Sequence, residues 1–118
     1  MWLVTDIGFY SIVQKPWDIK EDTLTVRGRV KDDMNALYKL IPQQDQFTKI
    51  THNPMDDYAF RFRASRKAVA KAINKLVTNL KYENFKNQVT KTQGHDRSFL
   101  YHEVWDVLYQ LQDGDRND

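Results

Sequence analysis

Two polar residues near the carboxyl end of the chain, His102 and Asp106, have the types and spacing that proton transfer requires. They are four residues apart in a segment that predicts a helix from about residue 96 to 111, so their side chains lie one turn apart. A carboxylate beside an imidazole stabilises the protonated ring and fixes its tautomer, as a general base or a metal ligand requires. Tyr109 falls on the same border of this helix. The three residues are the candidate catalytic group: His102, Asp106 and Tyr109.

A structural role is the alternative interpretation of these residues, with polar tips in water and Asp106 in a helix-surface pair. His95 precedes His102 by seven residues, which is about two helical turns, or some 10 Å along the axis. Both imidazoles therefore cannot reach one ion on a continuous helix, and we expect no metal site and no cofactor. The residues Gly94-His95-Asp96 are also typical of a point where one helix ends and the next begins, because glycine ends helices and aspartate caps their first turn.

The basic residues of the chain are concentrated in one segment. The formal net charge is +2, yet residues 58–91 carry nine basic residues against one acidic residue, Glu83. That segment is +8 (9 minus 1) and the remainder is −6 (9 minus 15). Such asymmetry indicates either a solvated surface or an anion-binding face. The candidate ligands for an anion or nucleic acid are strand arginines and lysines repeating every four residues: Arg27, Arg29, Arg61, Arg63, Lys67, Lys71 and Lys75.

Alternation of polar and apolar residues predicts the strands that position the arginines. Residues 23–30 and 58–63 alternate with period two, which places one set of side chains on the core face and the arginines on the other. We expect Tyr58 to share the core face with Phe60 and Phe62. Guanidinium groups bind phosphates bidentately, so an open arginine face favours a nucleic-acid or phosphorylated ligand. If the last two helices cover this face, the arginines pair with carboxylates instead.

The remaining patterns complete an α+β fold. Further strands are predicted at 7–15 and 47–52, and helices at 32–41, 65–80, 82–92 and 96–111. This order is ferredoxin-like with the last strand moved to the front, so we predict a four-stranded antiparallel sheet (ββαββα) followed by a helical pair. Apolar residues cover roughly 160° of the last helix, which predicts a central place in the core. We expect one domain over 1–112 and a disordered polar tail over 113–118.

Composition excludes further kinds of site and of location. The 118 residues include no cysteine, which excludes disulfides, thiolate catalysis and cysteine-bound metals and fits a reducing, cytoplasmic setting. The amino-terminal run lacks the features of a signal peptide. No apolar stretch approaches the ~20 residues of a membrane span, so we expect no membrane partner.

Four segments carry a family resemblance: residues 2–15 (WLVTDIGFYSIVQK), 57–61 (DYAFR), 82–86 (YENFK) and 100–105 (LYHEVW). Together they resemble a family of small bacterial proteins of similar length that carries no assigned activity. The resemblance extends over nearly the whole chain and implies a self-contained bacterial-type domain. It implies no activity, cofactor or partner.

Three functions remain open from the sequence. The first is a small cytoplasmic binding or regulatory protein without catalysis, whose partner is another protein or an identical subunit, served by surplus aromatic residues such as Trp2 and Trp17. The second is nucleic-acid or phosphate binding by the arginine face or the lysine helix. The third is an enzyme built on His102 and Asp106.

Overall fold

A computed structural model describes residues 1–112 of the chain. The chain divides into two compact units, Met1–Lys81 and Tyr82–Asp118, the second described as far as Gln112. The predicted tail at 113–118 lies outside the described residues. The prediction of one domain over 1–112 stays a prediction.

The first unit is built on an antiparallel sheet of five strands. They are β1 (Trp2–Val4), β2 (Phe9–Val13), β3 (Thr23–Gly28), β4 (Thr51–His52) and β5 (Phe60–Ser65), in the order β1-β2-β3-β5-β4. The predicted α+β class is confirmed. The sheet has five strands rather than four because the amino-terminal residues pair with β2 along its outer edge. The ferredoxin-like order is not confirmed.

The hydrophobic core lies on one face of this sheet. Tyr10, Val26 and Phe62 point to it and are almost completely buried. Helices α1 (Lys31–Tyr38) and α2 (Arg66–Thr78) pack against this face. Their buried apolar side chains are Met34, Leu37, Ala68, Val69 and Ala72. The alternation of β3 and β5 therefore predicted the core face correctly, because the side-chain period of a strand is two.

Helix α2 begins where its capping residue predicts. Ser65 precedes the helix, and its Oγ accepts a hydrogen bond from the N–H of Ala68 at 3.0 Å. This bond satisfies one of the amide groups that the first turn of a helix leaves without a partner.

Two strand predictions need correction. The strand expected at 47–52 is confined to Thr51–His52, with an isolated bridge between Phe47 and Ala64, because the segment has too few apolar residues to bury. The last strand begins at Phe60, so Tyr58 lies before it and not on the core face. Side-chain alternation applies only within the paired strand, and Tyr58 precedes that pairing.

The second unit is a pair of helices, α3 (Phe85–Gln93) and α4 (His95–Leu108). Gly94 ends the first and begins the second with φ of 96°, a backbone angle that favours glycine. The predicted helix break at this position is thus confirmed. The aromatic rings of Phe85 and Tyr101 stack between the two helices, with centroids 6.0 Å apart.

The predicted central place of α4 in the core is wrong. Ser98 of this helix is buried. Large apolar side chains of the same helix are exposed, and their exposed fractions include 65% at Phe99 and 62% at Val107. A two-helix hairpin has one internal interface, so apolar residues on the rest of the circumference face outward.

Candidate functional site

The predicted catalytic group lies on the exposed surface of α4. Nε2 of His102 is 3.6 Å from Oδ2 of Asp106, and the two side chains are 41% and 62% exposed. The imidazole stacks on Trp105, whose ring also contacts Tyr109. The helix thus brings the three predicted residues to one side, as their spacing indicated. A distance of 3.6 Å is long for a hydrogen bond, and a catalytic role for the group stays a prediction.

His95 is the first residue of α4, so two helical turns separate it from His102 as expected. Within residues 1–112, no three histidine or acidic side chains are grouped closely enough to hold a metal ion. The absence of a metal site stays an expectation for the chain as a whole.

Three of the four predicted arginines lie on strands of the sheet, and the fourth lies just after a strand. Arg27 and Arg61 lie directly opposite each other on β3 and β5, and Arg63 lies opposite Thr25 on the same pair of strands. Arg29 follows the end of β3. The sheet therefore carries three of the arginines on the face opposite the core, as the alternation predicted.

Arg63 belongs to a hydrogen-bonded network centred on Asp18. Its Nε donates to Oδ1 of Asp18 at 3.0 Å, and its Nη2 donates to Oγ1 of Thr23 and to the carbonyl oxygen of Trp17. Oδ2 of Asp18 also accepts from Oγ1 of Thr25. The Asp18 side chain is completely buried. These contacts use the Arg63 guanidinium to neutralise a buried carboxylate, which indicates a structural role.

The protonation of Asp18 follows from these contacts. Burial raises the pKa of its carboxyl, but the hydrogen bonds lower it by more, so the pKa lies below its ordinary value of 3.8. The donors, in decreasing order of effect, are Thr23, the Lys15 N–H, Thr25 and Arg63. Asp18 is therefore ionised at neutral pH. The turn at Lys15-Pro16-Trp17-Asp18 is the local sequence feature that could have indicated a structural role for Asp18. Asp18 was not among the residues singled out from the sequence.

Arg27 and Arg29 lie together over the ring of Tyr58. Each guanidinium carbon is 4.6 Å from the ring centroid. Tyr58 is only 5% exposed, and its hydroxyl accepts a hydrogen bond from Nε1 of Trp2 at 3.1 Å. Neither Trp2 nor Tyr58 was assigned to the arginine face from the sequence. Fifty-six residues separate them, so no local pattern could have joined them.

The lysines of α2 are tied to the loop after α1. Nζ of Lys71 is 3.4 Å from Oδ2 of Asp45, and Nζ of Lys75 donates to the carbonyl oxygen of Leu40 at 3.0 Å. Lys67 is exposed one turn earlier. Two of the three predicted lysines therefore have partners within the first unit, and an anion-binding role for the three stays a prediction.

Helix α4 presents a stripe of exposed apolar side chains, which we call the α4 stripe. Four of its members lie in α4 and the fifth, Leu111, lies in the helical residues 110–112 that follow it. All five are between 38% and 71% exposed: Leu100, Val104, Val107, Leu108 and Leu111. Near the end of the helix Trp105 and Tyr109 join Leu108 and Leu111 in lining a cleft of about 470 Å³. Contiguous exposed apolar surface of this kind is found at protein–protein contacts, at membrane contacts and in ligand-binding grooves.

No helix in the described part of the chain has the length and apolar character to span a bilayer. Comparisons with protein-family models, with curated proteins and with solved structures each return no match. The resemblance to a bacterial family stays a prediction.

Proposed function

We propose that this protein is a non-catalytic binding protein of the cytoplasm that acts through protein–protein contacts, and that its α4 stripe binds the α4 stripe of a second copy. The observation that carries the proposal is the exposure of this stripe on a helix that has one partner helix, α3, among the described residues of its own unit. The free energy gained by removing apolar surface from water is the driving force for association.

The position of the stripe around the helix supports a helical partner. At about 100° per residue, the five side chains fall within an arc of roughly 100°. Tyr101 lies beside this arc, where its ring stacks on Phe85 of α3. The stripe is thus a second apolar surface beside the one that holds α3, and a partner can contact it while the hairpin stays intact.

The spacing within the stripe supports a partner with the same spacing. Leu100, Val104, Val107 and Leu111 are separated by four, three and four residues. Alternating steps of three and four are typical of seams between packed helices, in which side chains of one helix fit between those of the other. A second copy supplies this spacing by symmetry, since one patch serves both sides of a two-fold interface. Two hairpins joined in this way make a four-helix bundle.

The mass of the protein in solution tests the proposal. The chain has a mass of 14.1 kDa, and light scattering after size-exclusion chromatography should give twice that value. Leu100→Glu and Val107→Glu place a charge in the stripe, and both variants should be monomers at protein concentrations where the wild type is a dimer. Far-UV circular dichroism checks that each variant keeps its helices.

Phe99→Glu is the matched control. Phe99 is 65% exposed and adjacent to Leu100 in sequence, but it lies about 100° away around the helix and outside the stripe. This variant should remain a dimer. A monomeric wild type, or a dimer that Leu100→Glu and Val107→Glu leave unchanged, would overturn the proposal.

We also propose that β2, β3, β5 and β4 form a ferredoxin-like sheet in permuted order, to which β1 is added at the edge. The support is their sequence order with α1 and α2, which is strand, strand, helix, strand, strand, helix. A chain that lacks residues 1–4 should keep its cooperative unfolding transition if β1 is an addition, and should lose it if β1 is integral to the sheet.

A further inference from the structure

A single row of side chains crosses all five strands on the sheet face opposite the core. Directly paired residues point to the same face, and the register joins one residue from each strand. We call this the crossing row, and its members in spatial order are Trp2, Ser11, Arg27, Arg61 and Thr51. An exposed indole and two guanidinium groups therefore lie along one line, with about 5 Å between neighbouring strands.

From this arrangement we propose that the crossing row, with Arg29 beside it, binds single-stranded nucleic acid, the arginines holding phosphates and Trp2 stacking on a base. The proposal does not depend on association through α4.

Positive charge along the row exceeds the negative charge that neutralises it. Arg27 and Arg61 lie directly opposite each other, an arrangement that is unfavourable for like charges. Arg61 is 3.2 Å from a carboxylate oxygen of Asp56. In the described chain, neither Arg27 nor Arg29 has a carboxylate within 4.0 Å. Two guanidinium charges thus remain for an external anion.

Hydrogen bonding leaves donors of both arginines without acceptors. Arg27 donates from Nη2 to Oγ of Ser11 at 2.6 Å, whereas its buried Nε has no partner within residues 1–112. Arg29 donates from Nε to the carbonyl oxygen of Asp57 at 3.0 Å, its one hydrogen bond within the described chain. Its two Nη groups are the pair that binds a phosphate bidentately.

Tyr58 holds both guanidinium groups in place. Each lies 4.6 Å from the centroid of this buried ring, a distance at which a cation is attracted to the aromatic face. Arg29 is an exposed residue, but its guanidinium is anchored by the ring and by the carbonyl oxygen of Asp57. Its orientation is therefore largely set before a ligand arrives, which lowers the entropy lost on binding.

Trp2 supplies an exposed ring whose orientation is also set. The side chain is 67% exposed, although its Nε1 donates to the Tyr58 hydroxyl and its ring meets Phe9 edge to face at 5.4 Å. Nucleic-acid bases stack on such rings without regard to sequence, because every base has a π face. In a duplex these faces are already stacked on neighbouring bases, so the ring favours a single strand over a duplex.

Arg63 shows the difference between this row and a structural network. Its donors meet Asp18, Thr23 and the Trp17 carbonyl, and it therefore has no comparable capacity for a phosphate. Of the four arginines predicted as phosphate ligands, the proposal retains Arg27, Arg29 and Arg61.

Fluorescence anisotropy with a labelled oligothymidylate of about 15 nucleotides tests the proposal. At about 50 mM salt the wild-type protein should bind it, and the affinity should fall as salt rises, because bound arginines displace counterions from phosphates. A duplex of the same length should bind at least about tenfold more weakly. Arg29→Ala should weaken binding at least about tenfold and reduce the salt dependence by the slope of one phosphate, about 0.7 for a single strand.

Matched variants distinguish binding by the crossing row from binding that any positive charge or exposed aromatic ring would give. Arg66→Ala removes the same charge from an exposed arginine that pairs with Asp22, and Trp17→Ala removes an indole that is 51% exposed. Both should bind like the wild type. Trp2→Ala should weaken binding at least about tenfold, and circular dichroism checks its fold. Arg29→Ala removes an exposed side chain, so its result stands even if Trp2→Ala does not fold.

Three outcomes overturn the proposal. One is no binding of the oligonucleotide at about 50 mM salt, where phosphate contacts are strong. Another is equal loss of affinity in Arg29→Ala and Arg66→Ala, which indicates general charge attraction. The last is displacement of the oligonucleotide by polyglutamate or by inorganic polyphosphate at equal charge concentration, which indicates an acidic peptide or a bare phosphate ligand.

Discussion

Nε of Arg63 donates a hydrogen bond of 3.0 Å to Oδ1 of Asp18, a residue 45 positions earlier in the chain. The carboxylate is completely buried and the arginine side chain is 30% exposed. The contact joins the short 3-10 helix Pro16–Asp18 to strand β5 on the sheet face opposite the core.

Asp18→Asn should destabilise the protein by about 2 kcal/mol, because it leaves Arg63 without its buried counter-charge and replaces an acceptor oxygen by a donor. Urea denaturation followed by circular dichroism measures the change. Glu21→Gln is the matched control, since Glu21 also contacts Arg63, at 3.5 Å, but is 68% exposed. It should change the free energy of unfolding by less than about 0.5 kcal/mol. Equal effects of the two substitutions would contradict the role assigned to Asp18.

The lowered pKa of Asp18 predicts a dependence of stability on pH. The folded state holds the carboxyl ionised more strongly than the unfolded state, in which its pKa is about 4. Its contribution is therefore fully present above about pH 4 and is lost as the pH falls through the folded-state pKa. The free energy of unfolding should decrease with acid more steeply in the wild type than in Asp18→Asn. Parallel curves for the two proteins would count against this prediction.

Gly8→Ala should destabilise the first unit by about 1–3 kcal/mol through overpacking. A Cβ at this position would lie 2.6 Å from Cβ and Cγ of Asp33. Asp33 cannot move freely, because its Oδ2 accepts from the N–H of Phe9 and its carbonyl oxygen accepts from the Tyr10 hydroxyl. Thermal unfolding measures the effect.

Gly28→Ala is the comparison for this prediction. The added Cβ would meet the sulfur end of the Met34 side chain, which is flexible and can shift. Gly28→Ala should therefore cost less than Gly8→Ala. The opposite order would show that Met34 is held more rigidly than Asp33.

His102→Ala and Asp106→Asn should each change the free energy of unfolding by less than about 0.5 kcal/mol. Both side chains are exposed, and a contact between exposed polar side chains contributes little because water competes for it and ordering the side chains costs entropy. Chemical denaturation of the two variants checks this. A larger loss in both would indicate that the pair is shielded from water in solution.

Local spacing accounts for most of the correct sequence predictions. The faces of β3 and β5, the cap at Ser65 and the break at Gly94 all depend on residues within a few positions of one another. The errors arose where pairing across the chain decides the outcome. Trp2–Val4 became a strand because β2 offers an edge to it. Tyr58 lies outside the strand in which the alternation predicts it, because pairing with β3 begins at Phe60.

In the candidate sites, too, local spacing predicted which residues lie together, whereas contacts across the chain decided which of them are covered. The four-residue spacing of His102 and Asp106 brought them together on α4, but spacing carries no information on whether that side of the helix is covered. The broad apolar arc of α4 predicted a buried helix, and the structure places the α4 stripe on the surface, with 71% exposure at Leu111.

The sequence by itself determined that the arginines of β3 and β5 lie opposite the core, since successive side chains of a strand alternate between faces. Only the tertiary structure decided that Arg63 neutralises Asp18 while Arg27 and Arg29 lie over Tyr58. Contacts across 28 to 56 residues depend on strand register and loop path. Both are set by packing of the whole sheet rather than by the spacing of neighbouring residues.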